Sequence, residues 1–179
     1  MTIDHLDLTS LTERAKTLAA SPTDGGAVEM IVVRTGDGIR ETPGSIVLSP
    51  AGGVTGDHWS QGRYATMPEM QVSLINSHVL DLVAGGDRSR WPLAGDNLVV
   101  DLDLHVDNLP AGARLAVGDA VLEISEKPHR GCAKFEARYG SDARSFVNLG
   151  DGPERRLRGV YATVVKDGTV RVGDHLTKL

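Results

Sequence analysis

Cysteine is almost missing: Cys132 is the single thiol in a chain of 179 residues. No intramolecular disulfide can form, which excludes a secreted disulfide scaffold, and one thiolate cannot hold an iron–sulfur cluster. Aromatic residues are scarce at 4%, so a base-stacking nucleic-acid surface is not expected. The net charge of -5 points the same way, because neutralising phosphates needs a basic surface. No apolar run reaches about 18 residues, so no membrane-spanning helix is expected. The opening MTIDHLDLTS has neither the basic nor the apolar stretch of a secretory signal, and a cytoplasmic location is expected. Also missing are a Walker motif, a G-x-S-x-G elbow and a Rossmann fingerprint after a strand, which disfavours nucleotide hydrolases, serine hydrolases and NAD enzymes. His5, His58, His78, His105, His129 and His175 are scattered without H-x-H or H-E-x-x-H spacing, which argues against a zinc cage.

What is present describes one soluble globular unit: 40% hydrophobic and 24% charged residues, with glycine abundant at 21. Many glycines among many valines indicate short strands and tight turns. Strands are expected at 27–35, 44–49, 98–106 and as a pair within 114–124 around Gly118-Asp119. In 98–106, Leu98, Val100, Leu102, Leu104 and Val106 alternate with the residues between them, the period of a strand with one wet face. Residues 159–176 read as a hairpin turning at Asp167-Gly168. Helices are expected at 8–20, 76–86 and 133–140. The first carries Leu8, Leu11, Ala15 and Leu18 on one stripe and a Ser10–Glu13 capping-box pattern. Asn76 caps the second and Gly85-Gly86 ends it, while Phe135 and Tyr139 share a face of the third. The fold expected is mostly β, a closed or partly open barrel with a few short peripheral helices. Residues 1–26 form an N-terminal helix and linker, and 27–179 the barrel domain.

Charge is unevenly spread. Residues 127–158 hold eight Lys/Arg and four Asp/Glu, a net +4 that leaves -9 elsewhere. A basic segment in an acidic chain suits a small anionic ligand. Fourteen of the nineteen cations are arginine, whose planar fork binds phosphate or carboxylate bidentately; Arg34, Arg130 and Arg158 fall at strand ends or loops. Cys132 sits in this segment, in HRGCAK, near the start of a helix and between Arg130 and Lys134. Helix amides and cations favour a thiolate, which is a nucleophile, a persulfide carrier or a soft-metal ligand. His129 is placed to tune it. Asp57 and His58 lie in a turn-rich loop, and Asp96 and Asn97 immediately precede the 98–106 strand.

These pieces together resemble the MOSC domain, named for the C-terminal domain of molybdenum cofactor sulfurase, over about Val28 to Leu179. The resemblance rests on GGVTGDHW, on MQVSLINSHVLDLVAGG, on LAGDNLVVDLDL with Asp96 where the family has Glu, on LPAGARLAVGDAVLEIS followed by KPHRGCAKF, and on RLRGVYATVVKDGTVRVGDHL. It implies a barrel-like β fold and makes Cys132 the functional cysteine, as a molybdenum ligand or a sulfur carrier. It implies molybdenum cofactor as the bound group, with Arg130, Lys134 and Arg158 holding its phosphate or pterin edge. Asp57, His58 and Asn97 line the pocket in this reading. The family's loop places Arg between Asp and His; here Asp57 is followed directly by His58, and Arg63 is the candidate replacement. Some stand-alone bacterial members reduce N-hydroxylated bases with electrons from a partner reductase. The alternative is a non-enzymatic carrier of sulfur or cofactor that uses a Cys132 persulfide and delivers to a molybdoenzyme. Neither nucleic acid nor membrane is an expected partner.

Overall fold

A computed structural model describes residues 5–62 and 64–179; Arg63 and the expectation attached to it lie outside the described residues. Its elements are α1 (Leu8–Ala15), β1 (Gly26–Ile31), β2 (Ser45–Ser49), β3 (Gly53–Val54), β4 (Val72–Asn76), α2 (Ser77–Ala84), β5 (Leu98–Asp101), β6 (Arg114–Val117), β7 (Ala120–Ile124), α3 (Ala133–Tyr139), α4 (Ser141–Asn148), β8 (Val160–Lys166), β9 (Gly168–Arg171) and β10 (His175–Lys178). Short 3-10 turns run over His58–Gln61, Pro68–Met70 and Arg88–Ala94. Seven strands close a barrel in the order β1-β10-β6-β7-β8-β4-β5, with β5 returning to β1. All neighbours are antiparallel except β4 and β5, which run parallel. The closed mostly β barrel with short helices around it is the architecture expected from the sequence.

The parallel pair dictates what covers the barrel. Parallel neighbours need a crossover connection, here α2 and the Arg88–Ala94 turn. Asn76 accepts the Val79 amide at 3.1 Å and starts α2; Gly85 ends it at φ 73. Along β4, Leu74 packs inside the barrel and Ile75 outside, the alternation a strand enforces. The outside face is buried too, because Ile75 and Val99 meet Leu80, Trp91, Phe135, Tyr139, Phe146 and Leu11. The barrel interior is therefore one apolar core, and a layer of α1, α2, α3 and α4 over β4 and β5 encloses a second.

Three local expectations change, and one helix is not among those expected. The strand expected over 98–106 stops at Asp101, because Asp103 accepts the His105 amide at 2.9 Å and turns the chain; Leu102 and Leu104 stay buried regardless. The 159–176 segment is not a hairpin. β8 stays in the barrel while β9 leaves it to pair with β2, forming a small sheet with β3. Gly168 is required there for space, since a Cβ would strike the Asp119 backbone, and its φ is not left-handed. The first helix is capped by Asp7, which accepts the Ser10 amide at 2.8 Å, so Ser10 lies inside the helix and α1 ends at Ala15. Finally, α4 follows α3 with only Gly140 between them.

Candidate functional site

Cys132 stands at the entrance to α3, exposed, at the end of a loop held from the side by α4. Asn148 accepts the Gly131 amide at 2.8 Å and donates to its carbonyl at 2.8 Å; Arg144 adds a bond to the same carbonyl at 3.3 Å. A Cβ at 131 would meet Val147 at 3.0 Å and Asn148 at 3.3 Å, which explains a glycine immediately before the cysteine. Burial pushes the thiol up, but the amides of Phe135 and Lys134 and then the charge of Arg158 outweigh it, so Cys132 lies below the ordinary thiol value. The side chain forms no full capping bond. Arg130 and Lys134 flank the sulfur, both exposed and neither in an ion pair among the described residues.

Arg158 leads from the thiol into a buried polar cluster. Its guanidinium, only 6% exposed, donates to Asp96 at 2.6 Å and to the Ala94 carbonyl at 3.3 Å, and lies 4.9 Å from the Phe135 ring. Its Nε is buried without a partner. His129 stacks on Tyr161 at 4.0 Å and holds Nδ1 3.6 Å from Asp96 Oδ1. Both of those atoms are buried and unpartnered. Burial, then the charges of Arg158 and Arg34, push His129 well below its usual range and keep the imidazole neutral. Burial raises the Asp96 carboxyl against the pull of Arg158.

Asp57 and Asn97 lie in the next layer. Arg34 grips Asp57 bidentately at 2.9 and 2.8 Å, and Asn97 donates to the same carboxylate at 3.1 Å. Asn97 also binds the Val32 carbonyl and the Ser73 amide. Asp57 further accepts the Trp59 amide at 2.9 Å, which sets the His58–Gln61 turn. His58 is exposed and faces the Arg34 carbonyl through Nδ1 at 3.1 Å. Of the residues singled out from the sequence, the structure thus joins Asp57 to Asn97, draws Arg158 near Cys132, and leaves His58, Arg130 and Lys134 on the surface.

Two arginines that sequence reasoning passed over complete the arrangement. Arg40 approaches Gly95 beside Arg34; its Nε is buried without a partner. Burial and the like charges of Arg138 and Arg34 lower its pKa. Arg138, on α3, donates to the Leu93 carbonyl at 2.6 Å. Four guanidinium groups therefore gather around the Gly95–Asn97 turn, facing two carboxylates, Asp57 and Asp96. No local motif marks Arg40 or Arg138, because their meeting depends on the β4–β5 crossover and on how α3 packs against it. Among the described residues no group of three or more His, Cys, Asp and Glu could hold a metal. A site whose ligands all come from the protein is not built among the described residues, whereas a group bringing its own donors finds one exposed thiol with a lowered pKa and surplus positive charge.

Barrel, helical layer and cationic edge define a class: a small closed β-barrel carrying a single activated thiol. The family follows from the sequence match. The MOSC domain model matches residues 56–177, and the chain belongs to that family, one associated in general with molybdenum cofactor. No curated protein matches. Among solved structures, one titled as a hypothetical protein is 18% identical with a TM-score of 0.62, covering 87% of this chain and 68% of the other. The YuaD protein from Bacillus subtilis is 16% identical with a TM-score of 0.59, over 85% of this chain and 94% of its own. YiiM from Escherichia coli is 18% identical with a TM-score of 0.57, over 86% and 69%. At these identities the likeness is one of fold. No helix among the described residues is long and apolar enough to cross a membrane.

Proposed function

We propose that this MOSC domain binds molybdenum cofactor with Cys132 as the protein's thiolate ligand. The observation that carries the reading is the charge imbalance around the Gly95–Asn97 turn, four guanidinium groups against two carboxylates, with Arg40 Nε and Arg158 Nε buried and unpartnered and the charge of Arg158 felt at the thiol. A dianionic phosphate monoester matches that surplus, and arginine is the residue suited to it. Arg158, Arg40 and Arg138 hold the anionic end, and Arg130 and Lys134 close over it from the surface. Asp57 and Asn97 position Arg34, and His58 borders the same loop. A soft thiolate suits molybdenum, and the cofactor, when bound, supplies two-electron redox chemistry such as N–O bond reduction. The protein's own part is to favour the thiolate of Cys132, fix the anion and hold His129 neutral against Asp96 and Tyr161. A reduced cytoplasmic setting and an electron-donating partner reductase complete this reading.

A second reading is supported by the exposure of Cys132. An accessible, low-pKa thiol also suits a persulfide carrier that hands sulfur or cofactor to a molybdoenzyme. One experiment separates the two. Protein from a cofactor-competent host is assayed for molybdenum by mass spectrometry, beside Cys132→Ala. Near-stoichiometric metal, lost in the variant, is the expected result. Equal metal in both proteins removes Cys132 as the ligand. No metal in either, with one added sulfur on the Cys132 peptide, moves the assignment to the carrier.

A further inference from the structure

The loop that carries Cys132 has another face. Residues 125–130 line a cavity of about 160 Å³ that Cys132 does not line. We propose that this cavity is a second binding site, for a compact organic anion such as a ring or branched carboxylate, and that its occupancy braces the cysteine loop. This goes beyond the cofactor reading, with which the cavity shares Arg130 and His129, and rests instead on the cavity itself and on Arg156.

Size and chemistry both point to that class. A cavity of ~150 Å³ admits a benzene-sized molecule. Val106, Val147 and Val160 supply apolar wall, while Lys127, Arg130 and Arg156 supply three cations against the single carboxylate of Glu126. Lys127 is partly compensated by Glu69 at 3.6 Å; Arg130 and Arg156 have no carboxylate partner among the described residues. Arg156 is also the one non-glycine residue described with a left-handed backbone, at φ 50. L-residues avoid that conformation, and here it carries the guanidinium to the Leu109 and Leu104 carbonyls at 2.5 and 3.4 Å. Neutral carbonyls leave the charge of a half-buried guanidinium unmatched, so a carboxylate is its natural counterpart. An apolar body against the valines and one anionic end is the combination such a pocket selects.

The route to the thiol is short. Pro128, His129 and Arg130 belong to the cavity wall, Gly131 is clamped by Asn148, itself part of the wall, and Cys132 follows. A ligand that holds Arg130 and the 128–131 backbone restricts the motion through which the thiol meets a reagent. Because Cys132 is the sole cysteine, thiol labelling of the full chain reports one position.

Benzoate is the probe. Calorimetric titration and the labelling rate of Cys132 by a disulfide reagent are followed together, for the native chain, Arg156→Gln and Val106→Phe. The expected result is saturable binding that slows labelling by about threefold or more. Binding weakens by about tenfold or more in Arg156→Gln and is abolished when Val106→Phe fills the cavity. If one variant does not fold, the other still decides. Absence of saturable binding, binding that the folded variants leave intact, or an unchanged labelling rate overturns the proposal.

Discussion

Asp57 accepts five hydrogen bonds while only 1% exposed, three of them from Arg34. Burial pushes its carboxyl up, but the Arg34 hydrogen bonds and charge hold it below the 3.8 of an unperturbed aspartate. A depressed native pKa contributes stability that is present above the unfolded value and is lost as pH falls through the native one. Asp57→Asn leaves the guanidinium without its carboxylate and should destabilise the protein by about 3 kcal/mol near neutral pH. That deficit should begin to shrink as pH falls below 3.8, where the unfolded carboxyl takes up its proton, and should be gone only once pH has fallen through the lower native value. Thermal unfolding of both proteins across acid pH checks this, and a deficit independent of pH would assign the effect to packing alone. Asp96 has the opposite sign: burial raises its native pKa, so its ionisation opposes folding as pH rises. Neither partnership was readable from spacing, since Arg34 and Asp57 are brought together by the fold. The Cys132 environment was readable, because HRGCAK puts thiol, cations and helix start within six consecutive residues.

Elements defined by short-range chemistry were legible, and those defined by remote pairing were not. The Gly118-Asp119 turn is an example of the first kind. Gly118 sits at φ 54 between β6 and β7, and a Cβ there would drive into the Thr169 carbonyl and come within 2.5 Å of Asp174 Oδ2. Gly118→Ala combines a left-handed alanine with that collision and should cost about 3 kcal/mol, read from urea unfolding midpoints. A cost below about 1 kcal/mol would mean that the turn relaxes around the methyl group. Asn76 and Gly85 around α2 were legible for the same local reason. The β8–β9 segment was not. Its Asp-Gly step matches a hairpin turn, yet β9 finds its partner in β2, more than a hundred residues earlier in the chain. In 98–106 the alternation was real, since Leu98, Val100, Leu102 and Leu104 are all buried, but the side chain of Asp103 ends the ladder.

At the scale of the molecule, two cores share the β4–β5 wall, one inside the barrel and one beneath the helices. The outer core ties the N-terminal helix to the site, because fully buried Leu11 of α1 packs in the same cluster as Phe135 and Tyr139 of α3. Leu11→Ala should lower stability by about 3 kcal/mol. It should also quicken labelling of Cys132, as α3 loses support from beneath; an unchanged rate at equal stability loss would confine α1 to a covering role. The barrel is closed by β1 on both sides, with Gly26 opposite Leu176 and Ile31 opposite Leu98. The seam with β10 joins strands from nearly opposite ends of the sequence. During synthesis, then, the thiol loop emerges from the ribosome while the cylinder is still an open sheet. Closure waits for residues 175–178, and sequence separations of that size make folding slow. A nascent chain paused between Cys132 and His175 exposes a reactive sulfur and an unpaired β1 edge together, the interval in which this protein is most open to oxidation and to aggregation.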